Sequence, residues 1–309
     1  MQEDNGNEMS DQLKISTIPL DSCCGCHMAL VNMGTDLLDI LAANVLVFSP
    51  VLMDKKSIQP CTVALVEGGV RNHENAEKLK ELREKADILI ALGTCASFGG
   101  ISGMGSAYTT LELLANAYGA DFSPEDLPVL EPRVTPIDAH VAVDYYIPGC
   151  PPPIGLLKET LSSLLAGEKP RRVDLPVCAE CKRTVKKHLQ PELKRLADNL
   201  PEPDECLLSQ GFICLGSVSR CGCGAVCTHA GVPCRGCRGP IDRVFIEPTH
   251  GILHDLTRRI SHFTGSKVSD IESRLKDTLH TFYRYTLSVP EMRRKDAENI
   301  HKLIWRIKV

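Results

Sequence analysis

Cysteine is the residue type that offers most chemistry in this chain. Fifteen of the 309 residues are cysteine, and nine of the fifteen lie between residues 178 and 237. They stand at Cys23, Cys24, Cys26, Cys61, Cys95, Cys150, Cys178, Cys181, Cys206, Cys214, Cys221, Cys223, Cys227, Cys234 and Cys237. Thiolate is the soft ligand that iron–sulfur clusters and zinc select. Because some of these thiols form CxxC pairs and others are spaced singly, the sequence predicts a protein built around metal.

The overall composition argues against several other classes of protein. Hydrophobic residues make up 43% and charged residues 24%, as in soluble globular proteins. A net charge of −4 gives no field that favours nucleic acid, and no apolar run approaches the roughly 20 residues of a membrane span. The segment Met1–Lys14 is polar and acidic, without an apolar core or a twin arginine, so we expect no export signal. These features predict a cytoplasmic protein, in which thiols stay reduced and disulfides are rare.

Apolar strand-like runs alternate with helix-like runs from Lys14 to Gly167. This alternation predicts a doubly wound parallel sheet, because each parallel strand needs a crossover that covers the sheet. The predicted strands are Ile15–Leu20, Val45–Phe48, Thr62–Val66, Ile88–Leu92 and Val141–Ile147, and the predicted helices are Met28–Ala43, His73–Ala86 with Asn72 as its cap, and Leu156–Leu165.

Three of the cysteine positions directly follow predicted strands. They are the loop Cys23–Cys26, Cys95 and Cys150. In such sheets ligands bind outside the carboxyl ends of the strands, so residues far apart in sequence meet at one edge. We therefore predict that Cys23, Cys26, Cys95 and Cys150 form one four-thiolate site for a cubane cluster. Zinc accepts the same ligands, but its sites usually take both halves as close pairs.

The chain changes character after Gly167. Residues 168–205 are charged and interrupted by proline, with a helix predicted at Thr184–Asn199. Residues 206–240 are dense in cysteine and glycine and have too little apolar surface for a core of their own. Since metal binding can supply folding free energy, we expect clusters to take the place of that core.

The C-terminal segment, residues 251–309, is basic, with 12 Lys+Arg against 7 Asp+Glu and hence a net charge of +5. The sequence predicts one helix capped by Ser269 and another that begins at Pro290. Such a tail is either a packed, solvated appendage or a docking element for a partner. The apolar faces of the two helices would consist of Ile271, Leu275, Leu279 and Phe282, and of Ile300, Leu303, Ile304 and Ile307.

Several motifs around the cysteines resemble those of a known family. They are Cys23-Cys24-Gly25-Cys26-His27, Val66-Glu67-Gly68-Gly69, Gly93-Thr94-Cys95-Ala96, Pro148-Gly149-Cys150-Pro151-Pro152 and Pro233-Cys234-Arg235-Gly236-Cys237-Arg238-Gly239-Pro240. With them the chain resembles the small, electron-transferring subunit of nickel–iron hydrogenases. The likeness is strongest to cytoplasmic enzymes of methanogen type, which pass electrons to heterodisulfide reductase or to a deazaflavin cofactor.

The resemblance implies three clusters with cysteine ligands. In the family, the strand-end thiolates hold the proximal cluster, nearest the nickel–iron centre of a separate large subunit. Periplasmic members have histidine where this chain has Cys178, and a 3Fe–4S cluster where Cys227 here offers a fourth ligand. Both departures imply three 4Fe–4S clusters, and thiolate in place of imidazole should lower the potential. The implied ligands are Cys23, Cys26, Cys95 and Cys150 (proximal), Cys223, Cys227, Cys234 and Cys237 (medial), and Cys178, Cys181, Cys206 and Cys214 (distal).

The domain organisation that follows has three parts. Residues 14–167 form a flavodoxin-like domain with the proximal cluster, 168–245 an irregular iron–sulfur domain, and 246–309 a helical, basic extension. By resemblance, hydrogen is split in the large subunit, and electrons pass through the proximal, medial and distal clusters to a subunit such as heterodisulfide reductase or a flavoprotein. This chain would then contain no catalytic residue and would show no hydrogenase activity alone.

Some alternatives stay open at the level of sequence. Cys24 competes with Cys23 as a ligand and Cys221 competes with Cys223, although spacing favours Cys23 and Cys223. Cys61 is interpreted as a small buried hydrophobe. A complex I-like subunit of a quinone- or ferredoxin-linked oxidoreductase would share the N-terminal motifs, and a zinc-stabilised scaffold would share the later cysteines.

Four further residues allow more than one interpretation each. Glu67 could relay protons, contact another subunit or cap a loop, and His27 could face the large subunit or hydrogen-bond a cluster sulfide. Arg235 and Arg238 could tune a cluster by charge or simply be solvated.

Overall fold

Five parallel strands form the main sheet of this computed structural model, which describes residues 12–119, 125, 127–187, 192–197, 199–246, 251–275 and 277–289. The strands are β1 (Lys14–Pro19), β2 (Val45–Phe48), β3 (Cys61–Glu67), β5 (Ala86–Leu92) and β7 (Tyr145–Ile147). Their order is β2-β1-β3-β5-β7, and all neighbours are parallel. Counted among themselves they follow the order 2-1-3-4-5 of flavodoxin, so the predicted flavodoxin-like α/β fold is confirmed.

The register brings the carboxyl ends of four strands to one edge. One row across the sheet contains Thr17, Leu65, Ile90 and Tyr145. The two central strands are almost wholly buried and apolar, as expected where helices cover both faces. The loops that carry the first cysteines therefore leave the sheet side by side.

Helices pack on both faces of this sheet. Leu79 and Leu82 of α3 are buried on one face, and Leu30 of α1 and Leu157 of α6 are buried on the other. The predicted cap is confirmed, since the Asn75 N–H donates to the Asn72 side chain at 2.8 Å. The helices are α1 (Gly25–Val31), α2 (Thr35–Ala43), α3 (His73–Lys85), α4 (Gly93–Phe98), α5 (Thr110–Tyr118) and α6 (Ile154–Leu165).

Three local features differ from the sequence-based expectation. The single helix predicted at Met28–Ala43 is two helices, because the chain turns at Gly34 with a φ of +62°. The strand predicted at Val141–Ile147 is regular only in its last three residues. A small antiparallel pair, β4 (Val70–Asn72) with β6 (Leu130–Thr135), was not predicted, since neither run shows a clear alternation.

The helix predicted at Thr184–Asn199 is wrong for the part of that segment that the structure describes. The Thr184 N–H donates to the Asp204 carbonyl at 2.7 Å, and the Lys194 N–H donates to the Gly211 carbonyl at 2.9 Å. These long-range bonds take the place of helical ones, and Pro191 stands in the middle of the segment, where it opposes a helix.

The described part of the C-terminal segment is helical, but its elements differ from those predicted. The helix expected after Ser269 begins at Val268 and breaks into α10 (Val268–Arg274) and α11 (Thr278–Phe282). Its four predicted apolar residues are all buried nonetheless. The predicted helix from Pro290 lies outside the described residues. In the described part of the chain no helix is both long and apolar enough to cross a membrane. The remaining helices after residue 167 are α7 (Val226–His229), α8 (Asp242–Ile246) and α9 (Ile252–Thr264).

The cysteine-rich part shares one hydrophobic core with the tail. Leu207 and Phe212 from the first are buried in the same cluster as Leu256 and Tyr283 from the second. The apolar surface that residues 206–240 lack is therefore supplied by helices of the tail, in addition to any bound metal. The boundaries proposed at 167/168 and 245/246 stay predictions.

Candidate cluster-binding sites

Four thiols come together at the carboxyl edge of the main sheet. Cys23 follows β1, Cys26 lies in the first turn of α1, Cys95 lies in α4 directly after β5, and Cys150 follows β7. Burial raises the pKa of Cys26, with further increases from Glu67 and from the other three thiols. Burial also raises the pKa of Cys150 to about 11, together with nearby Cys95, Cys237 and Cys23. We call these four residues the first thiol group.

Two glycines leave room around this group. A Cβ at Gly93 would overlap Cys26 Sγ, and a Cβ at Gly100 would overlap Cys95 Sγ. Both residues have positive φ, +85° and +58°, a backbone conformation that side chains disfavour. The backbone at these two glycines thus forms a cradle around the sulfur atoms, and a side chain at either position would occupy the space of a sulfur.

We predict that Gly100→Ala prevents the first thiol group from binding metal. The new methyl group would lie 2.8 Å from Cys95 Cα and 2.9 Å from its N, so the loop must move. The measurement is iron content of the purified complex, which should fall by about four atoms per chain.

The matched control for this change is Gly155→Ala. A Cβ at Gly155, in α6, meets no atom within 4 Å, and alanine there should stabilise the helix by up to about 1 kcal/mol. A Gly100→Ala variant with full iron content would contradict the cradle.

Glu67 fastens the CxxC loop to the sheet. Its side chain accepts hydrogen bonds from the backbone N–H of Cys26 at 3.2 Å and of His27 at 2.9 Å, and it also contacts the imidazole Nδ1 of His27. Burial raises the pKa of Glu67, but the hydrogen bonds from His27 and Cys26 outweigh burial and hold it below its usual value. His27 Nε2 lies 2.9 Å from Thr17 Oγ1, so both side chains are engaged inside the fold. Of the interpretations of Glu67, loop capping is the one that these contacts support.

A second group contains Cys178, Cys181, Cys206 and Cys214. Burial raises the pKa of Cys178 to about 12, with contributions from the other three thiols. Burial raises that of Cys214 to about 11, with further increases from Cys206 and Cys181. A Cβ at Gly216 would lie 3.6 Å from both Cys178 Sγ and Cys214 Sγ, so the two sulfur atoms lie on either side of this residue at van der Waals distance.

A third group contains Cys223, Cys227, Cys234 and Cys237. Burial raises the pKa of Cys234, together with Cys214, Cys237 and Cys223. Burial likewise raises the pKa of Cys237, with Cys223 and Cys227 among the groups that increase it.

The third group lies between the other two. The backbone N–H of Cys150, in the first group, lies close enough to the Cys237 thiol of the third to lower the pKa of that thiol. The backbone N–H of Cys234, in the third group, lies 3.3 Å from Cys214 Sγ of the second. Thr94 adds a further link, because its hydroxyl donates to the Cys237 carbonyl and accepts from the Gly149 N–H at 2.9 Å. The three groups therefore touch in series.

Three cysteines belong to none of these groups. Cys23, rather than Cys24, is among the main groups that raise the pKa of Cys26, Cys95 and Cys150. Cys221 is buried near Glu180 and Arg238. Cys61 is buried in the core at the start of β3, as predicted.

One residue close to the thiol groups was not predicted from the sequence. Tyr285, from the tail, lies near Cys150 and Cys237, and burial together with these thiols raises its pKa to about 12. No local pattern marks this tyrosine, because its position depends on how the tail packs.

The chemistry of each group fits an iron–sulfur cluster. Each group has one buried thiol, and neighbouring thiolates repel one another, so a bound cation is needed to hold four thiolates together. Among the described residues, no three or more His, Cys, Asp or Glu are arranged to hold a single metal ion. A cluster is held by four thiolates spaced around it, and each group supplies four thiols.

Comparison with known proteins places this architecture in a class. Residues 23–164 match the family model described as NADH ubiquinone oxidoreductase, 20 Kd subunit. The crystal structure of an NAD+-reducing NiFe hydrogenase in the H2-reduced state contains a similar chain, with a TM-score of 0.50 and 37% identity, over 52% of this chain and 96% of that one. The N-terminal part therefore belongs to a class of oxidoreductase subunits with this α/β fold.

Two curated relatives narrow the class, and both are subunits of F420-non-reducing hydrogenases. The relative from Methanothermobacter marburgensis is 35% identical over 300 residues, 90% of this chain and 96% of that protein. The relative from Methanocaldococcus jannaschii, which belongs to the vhu enzyme, is 42% identical over 240 residues, 75% of this chain and 83% of that protein. The chain belongs to this family of hydrogenase subunits.

Proposed function

We propose that this chain is the electron-transferring subunit of a nickel–iron hydrogenase complex and conducts electrons through three 4Fe–4S clusters. The observation that carries the proposal is the arrangement of three four-thiol groups in series, with Cys150 close to Cys237 and Cys234 close to Cys214. A protein that used metal only for stability would not need its metal sites in series, whereas electron transfer from cluster to cluster does need that arrangement.

Each thiol group would hold one cluster, as the resemblance implies. When bound, the clusters accept and give up one electron at a time. The assignments are Cys23, Cys26, Cys95 and Cys150 for the proximal cluster, Cys223, Cys227, Cys234 and Cys237 for the medial cluster, and Cys178, Cys181, Cys206 and Cys214 for the distal cluster.

The protein's part in conduction is to position the ligands and to control their surroundings. The backbone N–H groups of Ile101 and Ser102 lie near Cys95 and that of Gly216 lies near Cys214, and each lowers the pKa of its neighbouring thiol. Hydrogen bonds to sulfur stabilise negative charge and so raise the reduction potential. The apolar core beneath the second and third groups excludes water, and this loss of solvation lowers the reduction potential. The balance of these two effects sets the potential of each site.

The partners follow from the same proposal. The proximal group would face the large subunit, where hydrogen is oxidised, and the distal group would face an acceptor such as heterodisulfide reductase or a flavoprotein. The names of the methanogen relatives support a hydrogenase and are consistent with a cytoplasmic complex. Cys178, in place of the histidine of periplasmic enzymes, fits an acceptor of low potential.

Iron and acid-labile sulfide analysis of the anaerobically purified complex tests the proposal. Three cubanes require about twelve irons and as many sulfides from this chain, after subtraction of the iron that belongs to the other subunits. About four irons would instead support the complex I-like alternative. The description of the matched family model, an NADH ubiquinone oxidoreductase subunit, is consistent with that alternative. Zinc without sulfide would support the scaffold and contradict a conducting role.

A further inference from the structure

Arg238 differs from every other cationic side chain in the described part of the protein. It is the one lysine or arginine there that is buried, with 7% of its surface exposed. Its Nε donates to the Pro148 carbonyl at 3.0 Å, next to the loop of Cys150. A Cβ at Gly222, which has a φ of +98°, would overlap the guanidinium, so glycine there makes the space that it fills.

The guanidinium has no ion pair with a carboxylate of the described residues. The half-buried Arg220 shows the usual solution, since its Nη2 lies 2.7 Å from an Asp242 oxygen. Glu180 is the carboxylate that acts on Arg238: its Oε1 accepts from the Gly222 N–H at 2.7 Å, and its Oε2 is buried without a hydrogen-bond partner, but neither oxygen forms an ion pair with the guanidinium. A buried charge of this kind is costly unless something of opposite sign lies against it.

Three thiols act on Arg238 more strongly than its one neighbouring carboxylate does. Burial lowers the pKa of Arg238, and the thiols of Cys223, Cys221 and Cys237, followed by Glu180, oppose that decrease. Two of the three belong to the third thiol group, which is assigned to the medial cluster. A 4Fe–4S cluster with four thiolates carries net negative charge and gains another negative charge on reduction.

We infer that Arg238 is the buried counter-cation of the medial cluster and that it raises the reduction potential of that cluster. The inference rests on the proposed function, because it needs a cluster at the third group. Arginine keeps its charge at all working pH values, and water is largely excluded from the guanidinium, so its attraction for the added electron is weakly screened. Without this charge, electron transfer from the proximal to the medial cluster would be less favourable.

The test is an anaerobic redox titration of the whole complex, followed by electron paramagnetic resonance. We expect Arg238→Gln to lower the equilibrium constant for reduction of the medial cluster about tenfold. For a one-electron couple this corresponds to a decrease of about 59 mV in the reduction potential. The medial signal is identified as the one that changes when Cys227→Ala removes a ligand of that site.

Two variants separate charge from structure. Arg235→Gln makes the same change of charge one residue from Cys234, but Arg235 is exposed, so solvent and salt screen it, and we expect less than about a twofold effect. Arg238→Lys keeps the charge and loses the fork that reaches Pro148, and we expect its equilibrium to stay within about threefold of wild type.

Each outcome decides the inference. An unshifted potential in Arg238→Gln would overturn it, as would equal shifts, or equal loss of the cluster, in the glutamine and lysine variants. A glutamine variant that loses the cluster, beside a lysine variant that keeps it at the wild-type potential, supports the charge role. A wild-type complex with no cluster at the third group would contradict the proposed function instead.

Discussion

A Cys23→Ala variant of the assembled complex should contain about eight irons from this chain instead of about twelve. Reduction of the remaining clusters by hydrogen should fall to the background level. The physical reason is that Cys23 lies within electrostatic range of Cys26, Cys95 and Cys150, at the first point of the series. Loss of one ligand exposes an iron to solvent and interrupts electron transfer at the first cluster. Iron analysis and paramagnetic resonance of the hydrogen-treated complex measure the two effects.

The matched control is the neighbouring residue. Cys24 has a φ of +60° and is not assigned as a ligand of the first group, so Cys24→Ala should keep about twelve irons. The reverse pattern, with iron lost in Cys24→Ala and kept in Cys23→Ala, would show that the wrong member of the pair was assigned.

A Leu256→Ala variant should destabilise the cysteine-rich part by about 2–5 kcal/mol, the usual cost of a leucine lost from a core. Leu256 is fully buried in α9, in the cluster of apolar side chains that contains Leu207 and Phe212. Removal of three carbons leaves a cavity between the tail and the cysteine-rich loops. The measurement is the guanidinium midpoint of the complex, with release of iron followed in the same titration.

Arg258→Ala is the control on the same helix. Arg258 is exposed, and an exposed substitution of this kind should change stability by less than about 0.5 kcal/mol. Equal effects in the two variants would mean that the tail is an appendage. By the same reasoning, deletion of residues 251–309 should prevent folding of the cysteine-rich part, so a loss of docking cannot be read from that deletion alone.

Local patterns were sufficient for the main sheet. The apolar runs at residues 62–66 and 88–92 predict buried strands, and the structure has β3 and β5 there. The prediction works because parallel strands with both faces covered must be apolar nearly throughout. The same approach failed for Thr184–Asn199, whose backbone bonds go to distant loops, and for α9, whose role appears only once its apolar face meets the cysteine-rich part.

The candidate sites divide in the same way. The positions of Cys23, Cys26, Cys95 and Cys150 after strands predict their meeting, because the topology of a doubly wound sheet fixes where strand ends lie. The contributions of Thr94 and Tyr285 could not be predicted, since each depends on contact between segments more than 100 residues apart.

The sequence by itself determined the chemistry of this protein: fifteen thiols, their CxxC spacing, and a parallel sheet that gathers four of them at one edge. These properties are local or follow from topology. The tertiary structure decided the order of the three thiol groups, the shared core of the tail and the cysteine-rich part, and the burial of Arg238 but not of Arg235. Burial and contact order arise from long-range packing, and two arginines in one loop look alike until that packing encloses one of them.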